Sequence, residues 1–585
     1  MTRSRVGVGV SRSGTRPAVA LVALFFLAGL GRADTLDADP SDYLDVLDQL
    51  GPGDTMRLAP GDYTDGLTIS GVHGTADAWI VIQGPASGAP ARILGRACCN
   101  TVEIRSGSYL AIENLTIDGQ GIDGIFAVSA SGSPCHHVRI ENCRMVGHGA
   151  HQATVAISTK VATWNWIIRR NTIVAAGTGM YLGNSDGTRP FIAGLIEYNL
   201  FLDSKGYNTE IKHQNSRDGS IPGIPTTPQR TIIRHNVFLK GELPNESGAR
   251  PNLLVGAFPA TGLGSEDSYE VYGNVFHHNH RESLLQAEGR VSIHDNVFAD
   301  CTGSAIYLAD HNDRLRRAHV YNNTFYDVDE AILFGDPASE GDRVVGNLMF
   351  SGSGVTGSFT NASFNIHVPV ASAASYVANP SLVLGEMDFY PLPGMAQGAP
   401  LDLSPFAAEA DYDRDFNGNA KDSLVFRGAY AGEGENPGWQ LDASIKGEVP
   451  GAGGDTTPPT GTILIAGGNE TTTDPGVDLQ VVADDDGSGM GAGAQMRFSN
   501  DGVAWSPPEP YATTRTGWSL SAYGGTSGAG SKTIFASFRD VAGNWSSAVI
   551  ADSIEYEGGS GGTGAWGIDA LLLAVFLLLA RRAAR

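Results

Sequence analysis

Positive charge is scarce in this chain. Its 39 lysines and arginines face 63 aspartates and glutamates, a formal net charge of −24 over 585 residues. General nucleic-acid binding needs a basic footprint and is excluded on that ground. Cysteine is also sparse. The five, at 98, 99, 135, 143 and 301, show no zinc-binding spacing, and an odd number leaves at least one outside any intrachain bridge. The two long apolar runs, residues 18–30 and 566–580, fall short of the roughly 20 residues a bilayer span requires. G-x-S-x-G, P-loop and H-E-x-x-H signatures are absent. No ten-residue helical pattern separates the short apolar runs between Val102 and Phe350, which excludes βαβ units.

What is abundant is glycine, 76 residues, and a repeat. An Asn stands just before a large apolar side chain at 114, 142, 171, 199, 236, 274, 296, 323 and 347. Successive intervals are 28, 29, 28, 37, 38, 22, 27 and 24, the period of a solenoid. Between these positions lie short strand-like runs, among them VAIST, GMYLG, EIKHQ, NLLVG and AIYLA. One rung cannot bury its apolar face alone, whereas stacked rungs share a continuous core. An Asn at the same bend of every rung can bond its own turn and the amides above and below. The fold class expected is all-β, a parallel β-helix.

The ends have their own signals. Arg3, Arg5, Arg12 and Arg16 precede the apolar run, and Gly31-Arg32-Ala33 offers a cleavage site, so residues 1–33 read as an export signal and the product as secreted or cell-surface. Export permits disulfides, and one bridge from Cys98-Cys99 to Cys135 or Cys143 in a neighbouring rung is expected. An amphipathic helix over residues 39–50, with Tyr43, Leu44, Leu47 and Leu50 on one face, would cap the solenoid, which runs over 34–432. Residues 433–459 read as a Gly-, Glu- and Pro-rich linker, and 460–556 as a small β-sandwich from the alternation in TILIA, VDLQVVA and KTIFASFRD. Its Trp505, Trp518 and Trp545 suit either an aromatic platform or a core. Residues 557–585 are a Gly-rich, apolar and Arg-ended tail whose arginines would stay cytoplasmic.

Three of these regions carry resemblances. The Pro-Gly-Asp turn, the Leu-Ala-Pro-Gly-Asp-Tyr turn and the Gly-Thr-Ala-Asp segment within residues 51–85 resemble the entry rungs of the pectate-lyase-like superfamily, and in particular the chondroitinase B–alginate lyase family. Asn379-Pro380, Asp388-Phe389-Tyr390-Pro391-Leu392 and Asp413-Arg414-Asp415-Phe416-Asn417-Gly418 resemble its exit segment. The resemblance implies a right-handed β-helix and a polysaccharide lyase acting on an anionic, uronate-containing glycan by β-elimination, as a monomer, with Ca²⁺ as a possible cofactor. Arg539-Asp540-Val541-Ala542-Gly543-Asn544 resembles immunoglobulin-like modules of exported bacterial enzymes. The tail is similar to GlyGly-type sorting signals of Gram-negative bacteria, which a rhomboid-like protease cuts, so membrane contact would be confined to the tail before processing.

The two longest intervals place extra residues at 216–229, 241–250 and 258–267, where they would wall a groove around the strand 209–214. With Ile211 inward, Glu210 and Lys212 face outward, in a column expected to include Tyr181, Leu254, Leu285 and Tyr307. Seven basic residues between 205 and 250 (Lys205, Lys212, Arg217, Arg230, Arg234, Lys240, Arg250) accompany four acidic ones, a local excess that suits an anionic glycan. A uronate lyase must neutralise a carboxylate, remove the C5 proton and protonate the leaving oxygen. The family uses Glu and Asn for calcium, Lys as base and Arg as acid. Carried over, this makes Glu210 a metal ligand, Lys212 the base and Arg250 the nearest acid, although the Glu-to-Lys spacing is shorter than the family's and NLLVG lacks its Arg. His311 is the alternative base. His213, Gln214, Arg217, Asn252, Tyr181, Gln286, Glu288, Tyr307 and Asn312 are candidate substrate contacts. The histidines of HHNH, 277, 278 and 280, show no carboxylate at a fixed spacing. A β-helical hydrolase or epimerase and a non-catalytic glycan-binding rod remain alternatives.

Overall fold

The computed structural model describes residues 33–558 apart from 77, 450–457, 486–489, 491–493, 541–543 and 547–549. The expected export signal and the sorting tail therefore lie outside the described residues, apart from their innermost positions. No helix among the described residues is long and apolar enough to cross a membrane.

From Thr35 to Val368 the chain winds as 34 parallel strands on three faces. The first face runs from Thr35–Ala38 through Thr55–Leu58 and Ile80–Gln83 to Asp342–Val345 and Ala362–Ser363. The second starts at Gly61–Tyr63 and ends at Ile366–Val368. The third carries Leu67–His73, Val128–Ala130, Val155–Thr159, Thr178–Leu182, Thr209–Ile211, Leu253–Val255 and Leu285–Ala287. Inward side chains make a continuous aliphatic core. Its most regular part is a file of stacked rings, Phe201, Phe238, Phe276, Phe298 and Phe325, with centroids 4.8–5.0 Å apart.

The Asn ladder is continuous from Asn171 to Asn365. Each Nδ2 donates to the Oδ1 of the next Asn at 2.9–3.0 Å and to a main-chain carbonyl of the preceding rung, such as Ile196 O for Asn236. Asn114 and Asn142 do not belong to it. The pairing Arg144↔Thr172 puts Cys143, not Asn142, opposite Asn171. Both residues occupy the preceding position, which has φ near +55° and which Asn tolerates. They bond each other there, exposed, at 2.6 Å.

Three other expectations change. The cap helix spans only Tyr43–Leu47, and residues 35–38 before it pair as the first strand. Tyr43 and Leu47 face the core while Leu44 is exposed. Cys98 and Cys99 are bonded to each other, and Cys135, Cys143 and Cys301 are buried thiols, so there is no bridge between rungs. Residues 433–449 are not a free linker: Leu441, Lys446 and Val449 are buried, and Val449 N donates to the Tyr198 hydroxyl.

Residues 460–556 form a small β domain of two sheets around one core that includes Leu479, Phe498, Trp518 and Phe538. Trp518 is thus core. Trp505 and Trp545 flank the Arg497 guanidinium at 4.8 and 4.1 Å.

The ladder predicts where stability resides. Asn274→Ala strips partners from the Asn236 amides and the Ile233 carbonyl, at about 1–3 kcal/mol for each buried group left unsatisfied. Asn142→Gly, exposed and at a φ glycine adopts freely, should leave the urea midpoint nearly unmoved.

Candidate functional site

The outward face of the third sheet is set by register. Its central column reads Ser158, Tyr181, Glu210, Leu254, Gln286 and Tyr307. Gln286 takes the place expected of Leu285, which points into the core. Two residues further along, the ladder continues through Lys160 N to Ala130 O, Lys212 N to Leu182 O, Gly256 N to Ile211 O and Glu288 N to Val255 O. The second column is therefore Lys160, Gly183, Lys212, Gly256 and Glu288. Gly183, at φ +86°, leaves open the gap between the two lysines.

The insertions bracket this face. At the strand exits, 216–229 and 258–267 are tied together by Arg217, which pairs with Asp267, while Arg217 N donates to Leu263 O. At the strand entrances, 241–250 is held by Gln152, which donates to Gly248 O and accepts from Ser247 N, and by Lys205, 2.5 Å from Glu246. A cleft with about 500 Å³ of empty space opens at the exit side, lined by residues that include His213, Asn215, Pro259, Asn312 and Asp313.

Tyr181 is the centre of the charged part. The Lys160 ammonium lies 3.7 Å from its ring centroid and that of Lys212 5.5 Å. The two lysines differ in state. Burial pushes Lys160 down to about 8, with the Lys212 charge adding to the effect and Glu210 opposing it. Burial also acts on Lys212, but the Glu210 carboxylate at 2.8 Å outweighs it and holds this ammonium above its ordinary value. Lys160 forms no ion pair among the described residues. It escaped sequence reading because VAISTK shows an unremarkable lysine; the only available signal was its place two residues beyond an outward serine.

Several expected contacts turn out to be scaffolding. Gln214 is buried and donates to Phe191 O. Arg217 is buried in its Asp267 pair. Asn252 is fully buried and accepts from Asn279 Nδ2. Glu288 is buried and receives the N–H groups of Asn312 and Asp313, fixing the 310–314 loop. Tyr181, Gln286 and Tyr307 do reach the groove face, partly exposed, and Asn312 and His213 line the adjoining cleft. His213 is pushed down by burial and by Lys212. His311 is exposed on the 310–314 loop. Arg250 stands over the Tyr207 ring at 5.7 Å, its guanidinium donating to Ala249 O and Ser247 O.

The basic excess is largely consumed. Lys205, Lys212, Arg217, Arg230 and Arg234 pair with Glu246, Glu210, Asp267, Glu270 and Glu197. Three of those acids come from outside the 205–250 window. Calcium does not fit here either. Ca²⁺ takes six to eight oxygens, and Glu210 is a single carboxylate, almost buried, already committed to Lys212.

Residues 161–366 match the family model for a right handed beta helix region. This right-handed β-helix is similar to three solved structures. One is the alginate lyase from Paenibacillus sp. str. FPU-7, at 16% identity over 57% of this chain and 96% of that one, TM-score 0.32. Another is pectate lyase Pel9A, at 13% identity over 71% and 96%, TM-score 0.39. The third is the A-module of the Azotobacter vinelandii mannuronan C-5 epimerase AlgE6, at 13% identity over 56% and 93%, TM-score 0.30. Likeness at this level concerns the fold alone. No curated protein matches the chain.

The contrast between the lysines is directly measurable. With an amine-acylating reagent and peptide mass analysis, Lys160 should label half-maximally near pH 8, while Lys212 should label only at higher pH than an ordinary lysine. Equal labelling of the two, or Lys212 first, contradicts the assignment.

Proposed function

We propose that the third face of this exported β-helix binds a uronate-containing polysaccharide and cleaves it by β-elimination, with Lys160 rather than Lys212 as the base. The observation that carries this reading is the depressed, unpaired ammonium of Lys160 beside a second lysine held cationic, both against one tyrosine ring. A base must be neutral when it acts, and near pH 8 Lys160 is half so. Lys212 keeps its charge and faces the substrate carboxylate as a point cation. Tyr181, on the rung between the two lysines, carries a hydroxyl that can donate to the leaving glycosidic oxygen. The electron pair of the C5–H bond forms the C4–C5 double bond as the C4–O bond breaks, and the product carries an unsaturated uronic end.

The second reading, a glycan-binding rod without turnover, draws support from the same pairing that neutralises most of the local basic residues.

A screen of alginate, pectate, chondroitin sulfate and heparin for new ultraviolet absorbance separates the two. The lyase reading expects one substrate to respond. Its rate should rise with pH through about 8 and level off above, because deprotonation of Lys160 activates it. Lys160→Arg should lose about 10²–10⁴-fold in kcat, since arginine keeps the charge but does not deprotonate. Binding without absorbance on every substrate favours the rod. Near-normal turnover in Lys160→Arg removes Lys160 as base.

A further inference from the structure

At the corner between the second and third faces, three successive rungs bring together a cluster that the groove does not use. The strand Val275–Asn279 runs into HHNH, residues 277–280. His277 is turned away, its Nε2 3.1 Å from Leu382 O. His278 adopts φ +65°, and its ring lies 4.2 Å from that of His280, centroid to centroid. From the following rung, Asp300 places Oδ2 2.6 Å from His278 Nδ1 and Oδ1 2.6 Å from His280 Nε2. From the preceding rung, the 241–250 insertion brings Glu242 Oε1 to 2.9 Å from His278 Nε2 and 3.8 Å from His280 Nδ1.

One carboxylate thus accepts a ring N–H from each histidine. The other ring nitrogens, His278 Nε2 and His280 Nδ1, both face a second carboxylate, and that carboxylate accepts a hydrogen bond from His278 Nε2. Their three ligand atoms lie within 4.8 Å of one another. A divalent cation bound there would displace the ring proton and take both nitrogens and the carboxylate as ligands. A carboxylate behind each ligating imidazole is how proteins orient such ligands. Two imidazoles and one carboxylate select a first-row transition ion over Ca²⁺ or Mg²⁺, and three protein ligands leave a fourth position for water.

We propose that His278, His280 and Glu242 form a binding site for a zinc-class divalent cation, with Asp300 orienting both rings. The site is independent of the reading of the groove. It fastens the start of the 241–250 insertion to the rungs beneath. Arg281 reinforces the same attachment, donating to Leu243 O at 2.7 Å and standing 3.3 Å from Glu242 Oε2.

The full chain, stripped with a chelator and free of any polyhistidine tag, is titrated with ZnCl₂ by calorimetry, and Co²⁺ is followed by its visible absorption. The expected result is one ion per chain, a thermal midpoint raised by zinc, and a Co²⁺ spectrum of low coordination number. Asp300→Asn should weaken zinc binding about 10- to 100-fold, and His278→Ala with His280→Ala should abolish it. Glu242 is two-thirds exposed, so Glu242→Gln tests the site without threatening the fold and should also weaken binding. Absence of stoichiometric zinc binding overturns the proposal. So does binding that Glu242→Gln and the double histidine variant leave unchanged, or a cluster of two imidazoliums by NMR that zinc does not perturb.

Discussion

The hydrogen bond from one ladder Asn amide to the next governs this molecule, because it sets register. A slip of one residue in a β-rung exchanges inward and outward side chains along the whole strand. Each ladder Asn satisfies main-chain groups of two rungs as well as its neighbour's amide, so a slipped rung would leave several buried polar groups without partners. The stacked phenylalanines enforce the same register from within the core. Everything said of the outward face follows from that alignment: Tyr181 beside Glu210, Lys160 two rungs from Lys212, and glycine in the rung between.

On this fixed surface, electrostatics is decided by which partner each charge meets. Lys160 and Lys212 occupy equivalent places along their rungs and press on the same ring. They differ because Glu210 projects beside Lys212 from the same strand. Desolvation therefore dominates at Lys160, and Coulomb attraction at Lys212. The same logic explains why local charge counting misleads in a solenoid. Residues 20 to 40 positions apart in sequence stack as neighbours, so an acid in the next rung neutralises a base that seems unaccompanied.

The architecture was legible because its determinants are periodic: spacing near one rung, short β-branched runs, and turn residues between them. The groove was legible from the two long intervals, and so were Tyr181, Glu210 and Lys212 as outward residues. The error at Asn114 and Asn142 arose because Asn suits both the ladder and the left-handed position before it, and a motif search cannot separate them. Gln214, Arg217 and Asn252 looked like groove residues from their positions, but their polar groups are spent on carbonyls and carboxylates of other rungs. Lys160 was invisible because its altered basicity comes from three rungs folded together. The HHNH cluster seemed to lack a carboxylate because its two partners lie 36 and 22 residues away, in the rungs on either side.

The central claim is that an acidic glycan lies across Tyr181 between the two lysines. Footprinting tests it most directly: lysines are acylated with and without an oligouronate that binds the protein, and protection is read peptide by peptide. The account predicts protection at Lys160, the lysine that labels near pH 8, with Lys205, paired to Glu246, unchanged. Protection absent from Lys160, with the ligand instead shielding Trp505 and Trp545 of the small domain from oxidation, would contradict it.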